Sequence, residues 1–375
     1  MRRIALRSLA HDRGKLAASL AGVAFAATLL LIQIGLYAGF LETSCALIAR
    51  AGGDVWVMAK GTEVLENGEP LSAGSRATIA SHPCVQKVRA LVVAFAPTRK
   101  AGGAPDSVQL IGFEPGSEPL LPWSLARGLP QDLHAPNRVA IDMIDPKKLQ
   151  IDGDPMGARL EMGGQSVWVS ALTEGVRSFT LVPNVFAEVD TARRLARLSE
   201  GQANYWVADL HSPTCAADVI ASIEAHEPDV TAMTQPGFMK KTQDYWVFGS
   251  GAGSALGFSA LLGLVVGTVI VGQTLYAITK EHLRELGTLK AIGATNAELV
   301  HFVAWQAAFL AVVGGGLGLG IAMVVKEAVT AAGLLVVLSP SVLGVGATAI
   351  VLMCAVASIG SVRKVLSLEA AEVFK

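Results

Sequence analysis

The chain has 375 residues, 52% of them hydrophobic and 16% charged, with a formal net charge of −1. It is more apolar than a usual soluble protein, which points to a membrane, and it carries no strongly basic domain, which argues against nucleic acid as a partner. The 4 cysteines, Cys45, Cys84, Cys215 and Cys354, show neither a CxxC pairing nor metal-ligand spacing.

In chain order, residues 1–15 carry Arg2, Arg3, Arg7, Arg13 and Lys15 against one acid, Asp12. The uncharged run 16–40 comes next and predicts the first span: as a helix it extends about 38 Å against roughly 30 Å of bilayer hydrocarbon. A cleavable signal peptide fits poorly, because the apolar region is too long and no small-x-small site comes after it. Basic residues ahead of the span hold the amino terminus in the cytoplasm, so the chain beyond residue 40 faces outward.

Residues 41–245 change character, with prolines, short alternating runs and no segment long enough to cross. They predict an α+β extracytoplasmic domain large enough for its own core. Strands are expected at 54–60, 88–95, 107–113, 205–210 and 229–233, and helices at 73–81, 191–198 and 215–225. A hairpin is expected over 159–172, turning at Gly163-Gly164. The alternation at both ends suggests αβ layers brought together around an inserted lobe of about residues 115–200. Cys84 and Cys215 lie in this domain and can bond there, although the sequence does not bring them within bonding distance. His211 and His226 read as ordinary surface histidines rather than a metal pair.

A second span is expected over 247–278, where Gly253 and Gly257, then Gly263 and Gly267, stand four apart and place small residues on one helix face. A polar island, 279–298, separates it from a third span, 299–325, which carries Gly314 and Gly318. An outer loop, 326–340, leads to a fourth span, 341–361, and a tail, 362–375, whose Arg363 and Lys364 fit the cytoplasmic side. The fold class expected is an α-helical membrane protein with four transmembrane helices plus a large α+β extracytoplasmic domain between the first and second spans. In the island, Leu283, Leu286, Leu289 and Ile292 recur every three residues as one apolar stripe of a short helix, with Arg284, Glu285 and Lys290 off it. Gly293 is placed to end that helix, and Thr295 or Asn296 to cap the next.

The run Arg284-Glu285-Leu286-Gly287-Thr288-Leu289-Lys290-Ala291-Ile292-Gly293-Ala294 resembles the signature of FtsX-like permeases, the membrane subunits of MacB-type ABC systems. The outer domain resembles the split periplasmic domain of those permeases, with Gly153-Asp154 similar to a glycine-aspartate feature there. The ending Glu369-Ala370-Ala371-Glu372-Val373-Phe374 resembles that of the DevC subgroup, with Ala370 where that pattern has proline. Gln306 stands where many members carry glutamate.

The resemblance implies a permease subunit of an ATP-driven export complex in the bacterial inner membrane, both termini cytoplasmic. It implies that the helix of the island couples to a separate ABC ATPase through Leu283, Arg284, Glu285, Leu286, Leu289, Lys290 and Ile292. ATP and magnesium would bind that ATPase, and this chain would bind no cofactor. A second permease copy, as a homodimer, a periplasmic membrane-fusion adaptor, an outer-membrane channel and membrane lipid are the implied partners. A lipoprotein-releasing permease, and an FtsX-type subunit that activates a cell-wall hydrolase, are the alternatives. The residues agree with a non-catalytic chain: no G-x-x-x-x-G-K-[ST], HExxH or G-x-S-x-G occurs. Ionisable residues keep to the ends of the spans, which argues against ion-coupled transport, and leaves His301 and Gln306 as the polar candidates within them.

Overall fold

A computed structural model of the chain describes residues 13–99, 103–115, 121–178, 180, 182–331 and 334–367. Arg2, Arg3, Arg7 and the ending 369–374 lie outside the described residues. The chain forms two units, an α+β unit, Leu41–Gly251, and a helical unit made of the chain up to Phe40 and from Ala252 onward. The first helix, α1 (Arg13–Ala51), carries the first apolar run and stays helical past Phe40.

In the α+β unit, β1 (Val55–Ala59), α2 (Ala73–Ala80), β2 (Val85–Arg99) and β3 (Pro105–Phe113) come first. Next are β4 (Leu125–Arg127), β5 (Arg138–Asp142), α3 (Asp145–Leu149), and the hairpin β6 (Arg159–Met162) and β7 (Gln165–Thr173). The unit closes with β8 (Asn184–Glu188), α4 (Val189–Ala196), β9 (Tyr205–Leu210), α5 (Ala216–His226), β10 (Val230–Thr234) and α6 (Gln235–Asp244). The ten described strands form one sheet in the order β10-β1-β9-β2-β3-β8-β5-β7-β4, with β6 paired to β2 and β7.

The length of β2 organises this sheet. Its first half pairs with β9, from Val85 to Leu91, and its second half with β3, from Leu91 to Arg99. At its end Thr98 and Arg99 also pair with β6, so hydrogen bonding closes a circuit through β2, β3, β8, β5, β7 and β6. Closure removes strand edges that would otherwise pair with other chains. The stretch expected as an inserted lobe supplies β4 to β8, and β8 runs parallel to β3, so one sheet passes through both parts.

Strand alternation splits the core in two. Val55 and Val57 join one cluster with Val92, Leu110 and Val139, covered by Ile79, Leu195 and Val219 of the helices. Trp56 and Met58 point the other way, with Ile111, Phe186, Tyr205 and Phe238, and receive Leu47 and Ile48 from the end of α1. Both faces are buried, so β1 is buried along its whole length.

The end of α1 is held by side chains from β1, β2 and α6. A helix leaves its last carbonyls without intrahelical partners. Here Gln235 Nε2 donates to Ile48 O at 2.9 Å, Arg89 Nη1 to Ala51 O at 2.9 Å, and Trp56 Nε1 to Gly52 O at 2.9 Å. The same guanidinium, 5% exposed as a residue, pairs bidentately with Asp209, through Nε to Oδ2 at 3.0 Å and Nη2 to Oδ1 at 2.9 Å. Cys84 and Cys215 are joined as a disulfide across a sequence separation of 131, with their Cα atoms 6.6 Å apart.

The helical unit adds α7 (Ala252–Glu281), α8 (Leu283–Ala291), α9 (Asn296–Ala331) and α10 (Pro340–Leu366) to α1. Four of its helices, α1, α7, α9 and α10, are long and apolar enough to cross a membrane. Their inner faces meet through Val23, Ala27, Leu31, Val271, Leu310 and Met353. Outward residues such as Val265, Val312, Val324 and Leu352 are exposed, as expected of a bundle whose solvent is lipid. Ser339 caps α10 by accepting from Val342 N at 3.4 Å, and Pro340 opens the helix where no amide donor is needed.

Two substitutions test these contacts through stability. Arg89→Met removes donors from Ala51 O and from Asp209, and is expected to cost about 2–3 kcal/mol in denaturant unfolding of the full chain. Replacing Cys84 and Cys215 together by serine is expected to cost about 2–4 kcal/mol, since it frees a long loop in the unfolded state; an unchanged midpoint would contradict this.

Candidate functional site

The island between α7 and α9 folds as expected into a short helix, but its stripe is shorter than the sequence suggests. Leu286 is 1% exposed and packs with Leu299, Phe302, Val303 and Val365, while Leu283 and Leu289 pack at the margin of that cluster. Ile292, expected on the same stripe, is 81% exposed. The reason is helical geometry: a three-residue step falls short of a full turn by about 60°, so three steps carry Ile292 to the face opposite Leu283. The apolar side of α8 therefore holds it onto its own spans, and Leu286 in particular presents no surface outward.

The outward side is polar around one apolar residue. Arg284 and Glu285 are exposed, and Glu285 Oε2 lies 2.9 Å from His282 Nδ1. Thr288 is also exposed and donates from Oγ1 to Arg284 O at 2.8 Å. Lys290 Nζ reaches Leu366 O at 3.5 Å, bringing the end of α10 to the helix. Gly293 adopts φ +106°, a conformation that favours glycine, and ends the helical path. Thr295 and Glu298 then form a reciprocal cap on α9: Glu298 N donates to Thr295 Oγ1 at 3.3 Å, and Thr295 N to Glu298 Oε2 at 2.9 Å.

The glycines separate into contact and open positions. A Cβ at Gly318 would lie 2.6 Å from Ala27 Cβ and 2.7 Å from Ala24 O, and one at Gly314 would lie 2.7 Å from Val23. Thr28 Oγ1 donates to Gly318 O at 3.0 Å, a polar link between α1 and α9. A Cβ at Gly267 would lie 2.6 Å from Met353 Sδ and 3.0 Å from Ala26 Cβ, whereas one at Gly263 would meet Leu29 at 3.6 Å, an ordinary contact. Gly253 is buried, whereas a Cβ at Gly257 would meet nothing within 4 Å. Gln306 is 0% exposed, and neither of its amide atoms has a hydrogen-bond partner; His301 is exposed. Among the described residues no group of three or more His, Cys, Asp or Glu is arranged to hold a metal ion.

Residues 16–226 match the model of the MacB-like periplasmic core domain, and residues 257–370 that of the FtsX-like permease C-terminal region. The chain belongs to the MacB-type, FtsX-like permease family. It is thus a multi-pass membrane protein of a family that serves as the permease component of ABC transporters. It is similar to the periplasmic region of MacB from Actinobacillus actinomycetemcomitans, at 11% identity, over 52% of this chain and 94% of that one, with a TM-score of 0.39. It is also similar to the extracellular domain of YknZ, a noncanonic ABC-type transporter from Gram-positive bacteria, at 14% identity over 48% and 98%, with a TM-score of 0.36. No curated protein matches the chain. These matches do not support the closeness to the DevC subgroup that the tail suggests.

Two further glycines of this permease were not singled out from sequence. Gly35 and Gly39, themselves four apart in α1, face Val336 and Leu335, and Val337 N donates to Gly35 O at 3.0 Å. Their spacing was the available signal, hidden inside a run that was already accounted for as a span. Gly318→Val is expected to cost the permease about 1–3 kcal/mol by overpacking, read as a lower unfolding midpoint in nanodiscs. Gly316→Val, where a Cβ meets nothing within 4 Å, serves as the control and should leave the midpoint near wild type.

Proposed function

We propose that this permease works with a separate ABC ATPase in the bacterial inner membrane, with its termini and α8 on the cytoplasmic side, and passes the ATPase's motion to its α+β domain. The observation that carries the reading is the outward face of α8, with Arg284, Glu285 and Thr288 exposed and Ile292 81% exposed. A single apolar anchor ringed by polar groups has the make-up of a small docking surface. Leu283, Leu286 and Leu289 position that face by seating the helix on α9 and α10, and a push on it reaches the spans through the same contacts. Lys290 serves similarly, by its bond to the last turn of α10.

ATP and magnesium bind on the ATPase in this reading. Four spans are few for enclosing a path, which supports a two-fold pair of permeases. The cargo is moved on the outer side, directly or through an adaptor and an outer-membrane channel.

The test is stimulated ATPase activity and affinity in nanodiscs. Ile292→Asp should weaken ATPase binding by roughly 30-fold, the equivalent of about 2 kcal/mol, with an unchanged unfolding midpoint. Leu286→Asp should instead lower the midpoint itself, because it buries a charge within the permease. Full affinity with Ile292→Asp would sink the docking assignment.

A further inference from the structure

A small polar cavity lies in the α+β unit where the last turns of α1 rest on the sheet. It holds about 20 Å³, room for one water. Its lining comes from α1 (Thr43, Ser44, Leu47), the turn bearing Leu65 and Glu66, β3 (Gln109, Ile111), and Asn184 at the start of β8. Two buried acceptors there have no donor: Glu66 Oε2 and Asn184 Oδ1. Two neighbouring hydroxyls are committed elsewhere, since Ser178 Oγ donates to Gln109 Oε1 at 3.1 Å and Ser44 Oγ to Leu41 O at 3.0 Å. Buried acceptors left unpaired are costly, and an ionised carboxylate among them costs more than a neutral acid.

We propose that this cavity is a proton site: Glu66 takes a proton from solvent onto its carboxyl, and the O–H donates through one water to Asn184 Oδ1. The proton is the only species gained, and a neutral acid replaces a carboxylate. Protonation turns Glu66 from an acceptor into a donor and removes a charge from beside Leu47, Leu65, Ile111 and Trp123. Deprotonation puts that charge back under α1 and loosens its seat on the sheet.

The electrostatics agree with the geometry. Burial pushes the Glu66 carboxyl up to about 7, against smaller opposing effects of its own backbone and of Trp246 and Gln109. The ionisable groups facing it are Cys45 from α1, Tyr205 from β9 and Arg177 from the segment between β7 and β8. A carboxyl raised in the folded state binds its proton more tightly there than in the unfolded chain. Its stabilising contribution is therefore complete below the ordinary carboxylate range and is lost as pH rises through about 7. Burial also raises Asp145, to about 6, which titrates in the same direction, so the comparison must isolate Glu66.

The experiment is thermal unfolding of the full-length chain in nanodiscs at about pH 5.5 and about pH 8, wild type beside Glu66→Gln. The wild-type midpoint should fall with rising pH, and Glu66→Gln, a neutral isostere, should lose the larger part of that fall. Parallel behaviour of the two proteins would overturn the proposal. Asn184→Leu keeps the carboxyl and removes its acceptor. Infrared titration of the protonated carboxyl should show its midpoint displaced in Asn184→Leu and the band missing in Glu66→Gln. An undisplaced midpoint, or a carboxyl titration through about 7 that survives Glu66→Gln beside that of Asp145, would count equally against it.

Discussion

The Arg89 guanidinium is the interaction on which the α+β unit turns. A helix that has satisfied its own backbone through hydrocarbon ends with carbonyls that need outside donors. Arg89 meets that need at Ala51 O while its remaining nitrogens are neutralised by Asp209 across the β2–β9 pair. One side chain thus ties the end of α1 to two strands far apart in sequence. Gln235 and Trp56 complete the set at Ile48 O and Gly52 O, so the helix terminus is specified by the sheet and by α6 rather than by a local cap. The planar fork suits this role, since a lysine could not hold a carboxylate bidentately and a carbonyl at once.

The helical unit solves a different problem. Lipid offers no hydrophobic drive for helices to associate, so close van der Waals contact must supply it. Gly314 and Gly318 let α9 approach the backbone of α1 near Ala24, and Gly267 admits both α1 and α10. Against that bundle α8 is held by a cluster of a few side chains, centred on Leu286 and Val365. A short helix fixed on one side and polar on the other is suited to passing a push onward, because its outward residues can change without disturbing its seat.

The proton site lies at the same joint that Arg89 secures. Glu66 and Arg89 meet α1 from different elements, one through a cavity at Thr43 to Leu47 and the other at Ala51. The joint is therefore fixed at its end by a permanent charge pair and adjustable a turn or two earlier by a carboxyl that changes charge near neutrality.

Much of this arrangement is legible from residue order. Apolar runs longer than the bilayer determined the spans, the short apolar, β-branched and aromatic runs in 107–113 and 205–210 determined β3 and β9, and Gly163-Gly164 determined the hairpin, because each signal is local. The recurrence of Leu283, Leu286, Leu289 and Ile292 marked a short helix over 281–292 for the same reason, and the structure has it at Leu283–Ala291. Strands β4, β5 and β8 were not legible there, since each is short and takes its partners from strands remote in the chain. Tertiary structure alone decided which of Leu283, Leu286, Leu289 and Ile292 face inward, since that depends on the turn angle and on where α9 and α10 stand. It also decided that Cys84 meets Cys215, that Arg89 reaches Ala51, and that Glu66 shares a cavity with Asn184. Those are contacts between residues remote in the chain, and they exist only once the β2 ladder has closed the sheet and brought its ends together.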